Sequence, residues 1–251
     1  MYVLGVVCVV KRVHSIRAVL LDIDGTLYHQ QSLRGLMAFE LSTVPLALGS
    51  IREALRVWRI LKCFREGREA LRAIEDSGVP LVSLQYSLVA ERVCVTPREV
   101  EMVVREWMYR RPLKYLRICR RRDMMEFFQF AAERGLRTGV FSDYPVREKL
   151  QGLGIHAPLT VELCATDPEI NAFKPNPKGF LHACKLWNLE PGEVLYVGDR
   201  LEVDACGAKA AGMPCVIFSR RTSRGFAGDA KTKYRSITTF RGLCDVIYSA
   251  I

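Results

Sequence analysis

The chain has 251 residues, of which 49% are hydrophobic and 25% are charged. This balance can bury a core, and it excludes an intrinsically disordered chain. The length allows one large domain, or a core domain that carries a smaller inserted one, and two subdomains are our working assumption. The net charge of +10 is concentrated in residues 28–122, which carry 18 Lys and Arg against 10 Asp and Glu.

Neither the amino terminus nor the cysteines indicate secretion. Residues 2–10 are apolar, but Lys11 and Arg12 follow this stretch, whereas the basic residues of a secretion signal precede it. The stretch is also too short to span a membrane. We interpret it as an extra strand, or as an upstream start ahead of a domain that begins near Val13. The nine cysteines include no CxxC pair, which is typical of reduced thiols and predicts a cytoplasmic protein.

Apolar runs that end at polar residues predict buried parallel strands. The runs are 18–21, 136–141, 194–197 and 215–218. Helical spacing separates the later runs, at 123–135, 145–153, 178–187 and 201–211. Alternation of this kind predicts an α/β fold with a doubly wound, Rossmann-like parallel sheet, whose ligands bind at the carboxyl ends of the strands.

Residues 28–122 interrupt this alternation with helix signals. Thr96, Pro97 and Glu99 combine an N-cap, a proline at the first helical position and a capping-box glutamate. Further helices are predicted at 50–65, 66–77 and 81–92. We predict an all-helical cap domain at 28–122, inserted after the first strand of a core that comprises 1–27 and 123–251. Such a cap would cover the strand ends as a lid.

The segment Asp22-Ile23-Asp24-Gly25-Thr26 directly follows the first strand. Both carboxylates can reach one crevice once the chain leaves strand geometry, and Gly25 permits that turn. One carboxylate can act as a nucleophile while the other handles protons. A D-G turn after a strand is also common for structural reasons alone, so the interpretation depends on the other strand ends.

Those strand ends carry complementary groups. Ser142 offers a hydroxyl and nearby amides to a phosphate oxygen, and Lys174, in a loop that Pro175 and Pro177 stiffen, can hold a phosphoryl group. Asp199 and Asp204 join Asp22 as hard oxygen ligands of the kind that Mg²⁺ takes. Singly, these residues could be a turn serine, a surface lysine and a helix N-cap. Their succession at four strand ends favours a common site.

In this order the motifs resemble those of the haloacid dehalogenase (HAD) superfamily. Asp22 and Asp24 match its first motif, and Ser142 and Lys174 match its second and third. The fourth motif is matched by Gly198-Asp199 with Asp204. The resemblance covers about 16–30 and 123–220, plus the tail, while 28–122 matches only by position and type, as a C1 cap.

This resemblance implies a magnesium-dependent phosphatase that hydrolyses a small phosphate monoester through an aspartyl-phosphate intermediate. Asp22 would attack phosphorus, and Asp24 would protonate the leaving oxygen and then activate water. Ser142 and Lys174 would hold the phosphate. The Mg²⁺ ligands would be Asp22, the backbone carbonyl of Asp24, Asp199 and, in support, Asp204. The dehalogenases of the superfamily lack an acid at the position of Asp24, which favours phosphate chemistry.

Two other functions stay open. A sugar phosphomutase of the same fold also keeps the second acid, but it would need a bisphosphate primer and would release little free phosphate. Alternatively, the basic insert could bind nucleic acid or an anionic surface. No nucleic-acid-binding motif is visible, and the expected partner is instead a small phosphorylated metabolite. An apolar stripe with Leu55 and Trp58 could lie on a membrane or form the core of the cap.

The positive surplus of the insert predicts that the substrate carries a second anionic group. Four basic residues spaced along one helix face are candidates for its recognition: Arg110, Lys114, Arg117 and Arg121. The same residues could equally form a solvated face, or serve the junction between insert and core.

Overall fold

A computed structural model describes residues 15–48, 50–74, 77–219 and 234–249. Six strands form one sheet in the order β3-β2-β1-β4-β5-β6, and all neighbouring strands are parallel. The strands are β1 (Ala18–Leu21), β2 (Arg137–Ser142), β3 (Val161–Cys164), β4 (Val194–Gly198), β5 (Cys215–Phe218) and β6 (Arg235–Ile237). The predicted parallel sheet is confirmed. The extra strand or upstream start considered for the first dozen residues lies outside the described residues.

The segment 28–122, called here the helical segment, contains five helices among its described residues. They are α1 (Gln30–Leu48), α2 (Ile51–Leu71), α3 (Leu81–Val93), α4 (Pro97–Val104) and α5 (Leu113–Cys119). A π-helical turn, Arg105–Arg110, continues α4. Thr96 caps α4 as predicted, because its side chain accepts a hydrogen bond from the Glu99 amide at 3.2 Å.

Helix α2 unites what the sequence pattern predicts as two helices, 50–65 and 66–77. Gly67 does not break it: this glycine is buried, and a Cβ there would make ordinary van der Waals contact with Val89 of α3 at 3.7 Å. The helix begins at the predicted place, since Ser50 accepts a hydrogen bond from the Glu53 amide at 3.3 Å. Helix α1 is not among the predicted helices.

A hydrophobic cluster of its own lies within the helical segment. Ile60, Phe64 and Val89 are buried there together with Val104. The segment leaves and rejoins the sheet region at one point, where Tyr28 and Arg120 form an isolated antiparallel bridge. The division into two domains stays a prediction.

The sheet is covered on both faces, because the side chains of β1 alternate between two hydrophobic clusters. Val19 and Leu21 pack in one cluster, and Ala18 and Leu20 pack in the other. The flanking helices are α6 (Met124–Glu133), α7 (Arg147–Leu153), α8 (Lys178–Trp187), α9 (Cys206–Ala210) and α10 (Phe240–Tyr248). Residues of α6, α7 and α10 join the first cluster, and residues of α8 and α9 join the second. Each fully buried aliphatic side chain contributes roughly 1.5–3 kcal/mol of transfer free energy.

Two features of the core helices depart from the sequence pattern. Asp123 makes no side-chain cap of α6, because its carboxylate instead accepts a hydrogen bond from the Arg241 amide at 2.9 Å and joins α10 to α6. The helix predicted at 201–211 is present, but it begins as a π-helical turn, Leu201–Ala205, before α9. In that turn the amides of Asp204 and Ala205 both donate to the Arg200 carbonyl, at 2.7 and 3.4 Å.

The eight cysteines that the structure describes are all free thiols. Among the described helices, none combines the length and apolar character that crossing a bilayer requires. The cytoplasmic location stays a prediction.

Candidate active site

The carboxyl edge of the sheet forms one wall of a cavity of about 740 Å³, and the helical segment forms the opposite wall. Strand β1 lies between β2 and β4, so the loops that follow these three strands are adjacent. Among the predicted site residues, five line this cavity: Asp22, Asp24, Lys174, Asp199 and Asp204. Ser142 is buried beside them and contacts Asp24.

Lys174 is buried between two carboxylates. Its Nζ lies 2.6 Å from Asp22 Oδ1 and 2.8 Å from Asp204 Oδ1. It also lies 3.0 Å from the hydroxyl of Tyr196, which in turn donates to Asp204 Oδ1 at 2.9 Å. Burial opposes the charge of Lys174, but Asp204 and Asp22 together raise its pKa well above the ordinary value. The lysine is therefore an ammonium that neutralises both carboxylates.

Asp22, Asp199 and Asp204 form a carboxylate cluster, with one oxygen of each within 4.8 Å of the others. Burial raises the pKa of Asp22; Lys174 opposes this, while Asp204 and Asp199 raise it further. Burial, and then Asp204, raise the pKa of Asp199 to about 6. A divalent cation would relieve this repulsion, and carboxylate oxygens are the ligands that Mg²⁺ takes. The three residues therefore fit a magnesium site.

Two glycines allow the loops of this cluster to approach closely. Gly25 has φ +94°, and a Cβ there would lie 2.0 Å from Asp199 Oδ2. At Gly198, a Cβ would lie 2.4 Å from Asp204 Cγ. Asp204 in turn holds the loop after β4, because its Oδ2 accepts the Asp199 and Arg200 amides at 3.1 and 3.0 Å. The turn predicted at Gly25 is thus required by the closeness of the carboxylates, and the same closeness excludes a side chain at Gly198.

Asp24 lies in a separate hydrogen-bonded group. The Nζ of Lys149 is 2.6 Å from both of its carboxylate oxygens, the Tyr28 hydroxyl donates to it, and Ser142 Oγ donates to it at 3.1 Å. Burial opposes the ionised form, but Lys149, Tyr28 and Ser142 together outweigh burial and the pKa of Asp24 is lowered. Ser142 Oγ also accepts the Tyr144 amide at 3.1 Å. Ser142 therefore orients Asp24 here, and its contact with phosphate stays a prediction.

Sequence reasoning missed Lys149, Tyr28 and Tyr196. Lys149 is one of several charged residues in the amphipathic α7, and nothing in its spacing distinguishes it from a surface lysine. Tyr196 lies within the apolar run of β4, where a hydroxyl that is fully buried needs a partner, and this signal could have indicated a polar contact.

The last turns of α2 contact the loops that carry the predicted catalytic residues. Arg72 pairs with the Asp143 carboxylate at 2.7 Å and donates to the Lys174 carbonyl at 2.5 Å. The buried Arg68 donates to the Asp143 carbonyl. Burial raises the pKa of Asp143, but the charges of Lys174, Arg72 and Arg68 outweigh burial and lower it. The helical segment is therefore fixed to the loops after β2 and β3.

A third contact joins α2 to the loop after β4, where Arg200 pairs with Glu69 at 2.9 Å. We call Arg68, Glu69 and Arg72 the α2 anchor. Because the α2 anchor contacts all three loops, a displacement of α2 changes the surroundings of the carboxylate cluster.

Replacing Arg72 with methionine is expected to destabilise the protein by about 3 kcal/mol, because it leaves the buried Asp143 carboxylate without its ion-pair partner. Urea unfolding of the variant measures this loss. The matched control is Lys62→Met on the same helix, whose pair with Glu66 is 4.0 Å long and exposed, and a change below about 1 kcal/mol is expected there. Equal losses in the two variants would contradict the role of the α2 anchor.

The basic face predicted to recognise the substrate is elsewhere. Arg110, Lys114, Arg117 and Arg121 are absent from the cavity lining. Acidic neighbours hold the first two, because Arg110 pairs with Glu106 at 3.4 Å and Lys114 pairs with Glu40 at 2.9 Å. Arg121 donates to the carbonyls of Gly25 and Thr26 at 2.9 Å, and so supports the turn after β1. The cavity wall contributed by the helical segment carries Arg34 and Arg65 instead.

A doubly wound sheet with a buried lysine and a carboxylate cluster at its carboxyl edge defines an α/β enzyme that acts at that edge. Residues 16–212 match the haloacid dehalogenase-like hydrolase family, and the chain belongs to this family.

Individual relatives agree with this assignment. The chain is 30% identical, over 208 residues, to a glyceraldehyde 3-phosphate phosphatase of Methanopyrus kandleri, covering 82% of this chain and 84% of the relative. A crystal structure of an HAD phosphatase from Thermococcus onnurineus superposes with a TM-score of 0.62 and 25% identity, covering 92% of this chain and 98% of that one. A putative β-phosphoglucomutase from Thermotoga maritima has a TM-score of 0.61 at 17% identity, over 94% of this chain and 100% of that one. This last likeness concerns the fold alone.

Proposed function

We propose that this hydrolase is a magnesium-dependent phosphatase that cleaves a small phosphate monoester through an aspartyl-phosphate on Asp22. The observation that carries this proposal is the placement of Asp22 at the end of the central strand, with Lys174 Nζ 2.6 Å from its Oδ1. Phosphatases among its relatives support the same reaction class.

In the first step, a carboxylate oxygen of Asp22 forms a bond to phosphorus while the bond from phosphorus to the ester oxygen breaks. Asp24 supplies a proton to the departing oxygen. Lys174 offsets negative charge on the phosphoryl group and on the nucleophile. Asp22, Asp199, Asp204 and the backbone carbonyl of Asp24 would hold Mg²⁺, which supplies positive charge where the anionic nucleophile and substrate meet.

In the second step, water loses a proton to Asp24 and its oxygen bonds to phosphorus, while the bond to Asp22 breaks and phosphate leaves. The lowered pKa of Asp24 suits this step, because a carboxylate is the form that accepts a proton. The proton from water then remains on Asp24 for the next leaving oxygen, and Lys149 and Ser142 orient this side chain.

Phosphate release is expected to require Mg²⁺ and to fall by a factor on the order of 100 or more on chelation with EDTA, because uncompensated carboxylates repel the substrate. A panel of phosphorylated metabolites that begins with glyceraldehyde 3-phosphate, assayed with added Mg²⁺ or with EDTA, measures this. Ca²⁺ should inhibit, since its larger and looser coordination captures the nucleophile. Asp199→Ala should raise the Mg²⁺ concentration needed for half-maximal rate.

The same assay separates the phosphatase from a sugar phosphomutase. Steady release of free phosphate without a bisphosphate primer is expected of the phosphatase. Turnover that persists in EDTA would contradict the metal requirement, and isomerised sugar phosphate without free phosphate would contradict hydrolysis.

A further inference from the structure

Among the residues that the structure describes, two cations that line the cavity have no carboxylate within ion-pair distance. Most basic side chains in its lining are paired: Lys149 with Asp24, Lys174 with Asp22, Arg72 with Asp143 and Arg200 with Glu69. Arg34 of α1 and Arg65 of α2 also line the cavity, but among the described residues neither has an acidic partner within ion-pair distance. Their positive charge is therefore available to a ligand.

Both arginines line the cavity that also contains Asp24, Tyr144 and Lys149. Burial lowers the pKa of Arg65; Tyr144 opposes this, and the charge of Arg34 lowers the pKa further. Both arginines thus contribute positive charge to the cavity that contains the proposed acid.

We propose that Arg34 and Arg65 bind a second anionic group on the leaving group of the substrate. The inference rests on the proposed function, because the phosphoryl group is assigned to Asp22 and Lys174, which leaves the arginines for the other end of the molecule. Two guanidinium groups that line one cavity attract an anion, and a carboxylate or a second phosphate can accept charge-assisted hydrogen bonds from them.

The apolar part of the cavity lining indicates the chemistry of the unit that connects the two anionic groups. Met37, Leu61 and Trp107 line the same cavity, so the middle of the leaving group meets apolar and aromatic side chains. The substrate class is therefore a phosphate monoester in which a compact, partly apolar unit carries a carboxylate or a second phosphate.

The test compares two esters of the same shape that differ in charge, 4-carboxyphenyl phosphate and 4-carbamoylphenyl phosphate. The measured quantity is the ratio of their kcat/KM values, which cancels effects on the chemical step that the substrates share. We expect Arg34→Gln and Arg65→Gln each to lower this ratio about tenfold, and the double variant on the order of 100-fold, because each removes a hydrogen bond to a charged group. The double Arg→Lys variant should keep more of the preference.

Arg59→Gln is the matched control. It removes the same charge from the same helix, but Arg59 is absent from the cavity lining, and the ratio should stay at the wild-type value. A second arm replaces the carboxylate ester with 1,4-phenylene bisphosphate. Each of these two esters carries a second anionic group and is compared with the carbamoyl ester. The ester whose kcat/KM advantage over the carbamoyl ester is lost in the double variant identifies the second group as carboxylate or phosphate.

A ratio within about twofold of wild type in the double variant, for both esters, would overturn this inference, as would an equal fall in Arg59→Gln. Hydrolysis of the carbamoyl ester by wild-type protein tests the proposed function separately. If wild type releases phosphate from the carbamoyl ester but the ratios do not respond, only the inference fails. If wild type releases phosphate from none of the three esters or the metabolite panel, the proposed function fails with it.

Discussion

Asp22→Asn is expected to lower turnover by a factor on the order of 10⁴ or more while the protein remains folded. An amide has no anionic oxygen with which to attack phosphorus. The folded state should persist, because the change preserves the shape of the side chain and Lys174 retains Asp204 as a partner at 2.8 Å. Phosphate release and thermal unfolding, measured on the same preparation, separate the two effects.

Asp245→Asn on α10 is the control for this variant, since it makes the same chemical change far from the cavity lining. A beryllofluoride adduct, which imitates a phosphorylated carboxylate, should form on wild type and on the control but not on Asp22→Asn. Substantial phosphate release by well-folded Asp22→Asn protein would exclude the aspartyl-phosphate mechanism.

Lys174→Met is expected to lower the free energy of unfolding by about 3–5 kcal/mol in the presence of EDTA. Removing the ammonium leaves Asp22 and Asp204 buried and facing each other, and an uncompensated buried charge is costly. Urea unfolding measures the loss. Because a cation at the carboxylate cluster would replace part of the missing charge, Mg²⁺ should raise the melting temperature of Lys174→Met more than that of wild type.

Lys185→Met, on the exposed side of α8, provides the comparison, and a change within about 0.5 kcal/mol is expected there. If Mg²⁺ stabilises Lys174→Met no more than wild type, the Lys174 ammonium and a bound cation do not compensate the same negative charge. A loss below about 1 kcal/mol in EDTA would mean that the two carboxylates avoid each other without the lysine.

The strands that sequence reasoning predicts well are those whose signal is unambiguous. Ala18–Leu21 and Cys215–Phe218 have the predicted bounds, because both faces of these strands are buried and every residue is apolar. Strand β3 was missed, since it lies at the sheet edge and includes Glu162, which faces solvent. Strand β6 was missed because three residues, beginning with Arg235, carry too little periodicity to be distinguished from a loop.

Some residues of the candidate site could likewise be predicted from the sequence, and others could not. Asp22 and Asp199 follow strands, and Lys174 lies in a loop that Pro175 and Pro177 stiffen, so their convergence can be inferred from topology. The partners of Asp24 cannot, because Lys149 acts from the middle of a helix and its position depends on how α7 packs. Whether the four basic residues considered for substrate recognition face the cavity could not be inferred from the sequence either. Glu40 is distant in sequence from Lys114, and only the folded chain reveals that they pair.

The position of β1 in the sheet also has a consequence for biosynthesis. The strand that carries Asp22 is made before its hydrogen-bonding neighbours, which begin at Arg137 and Val194. Contacts between residues so far apart in sequence close late, because the loop entropy must be overcome first. During translation this apolar strand therefore stays unpaired until both neighbours have emerged, and until then it is a segment that chaperones can protect from aggregation.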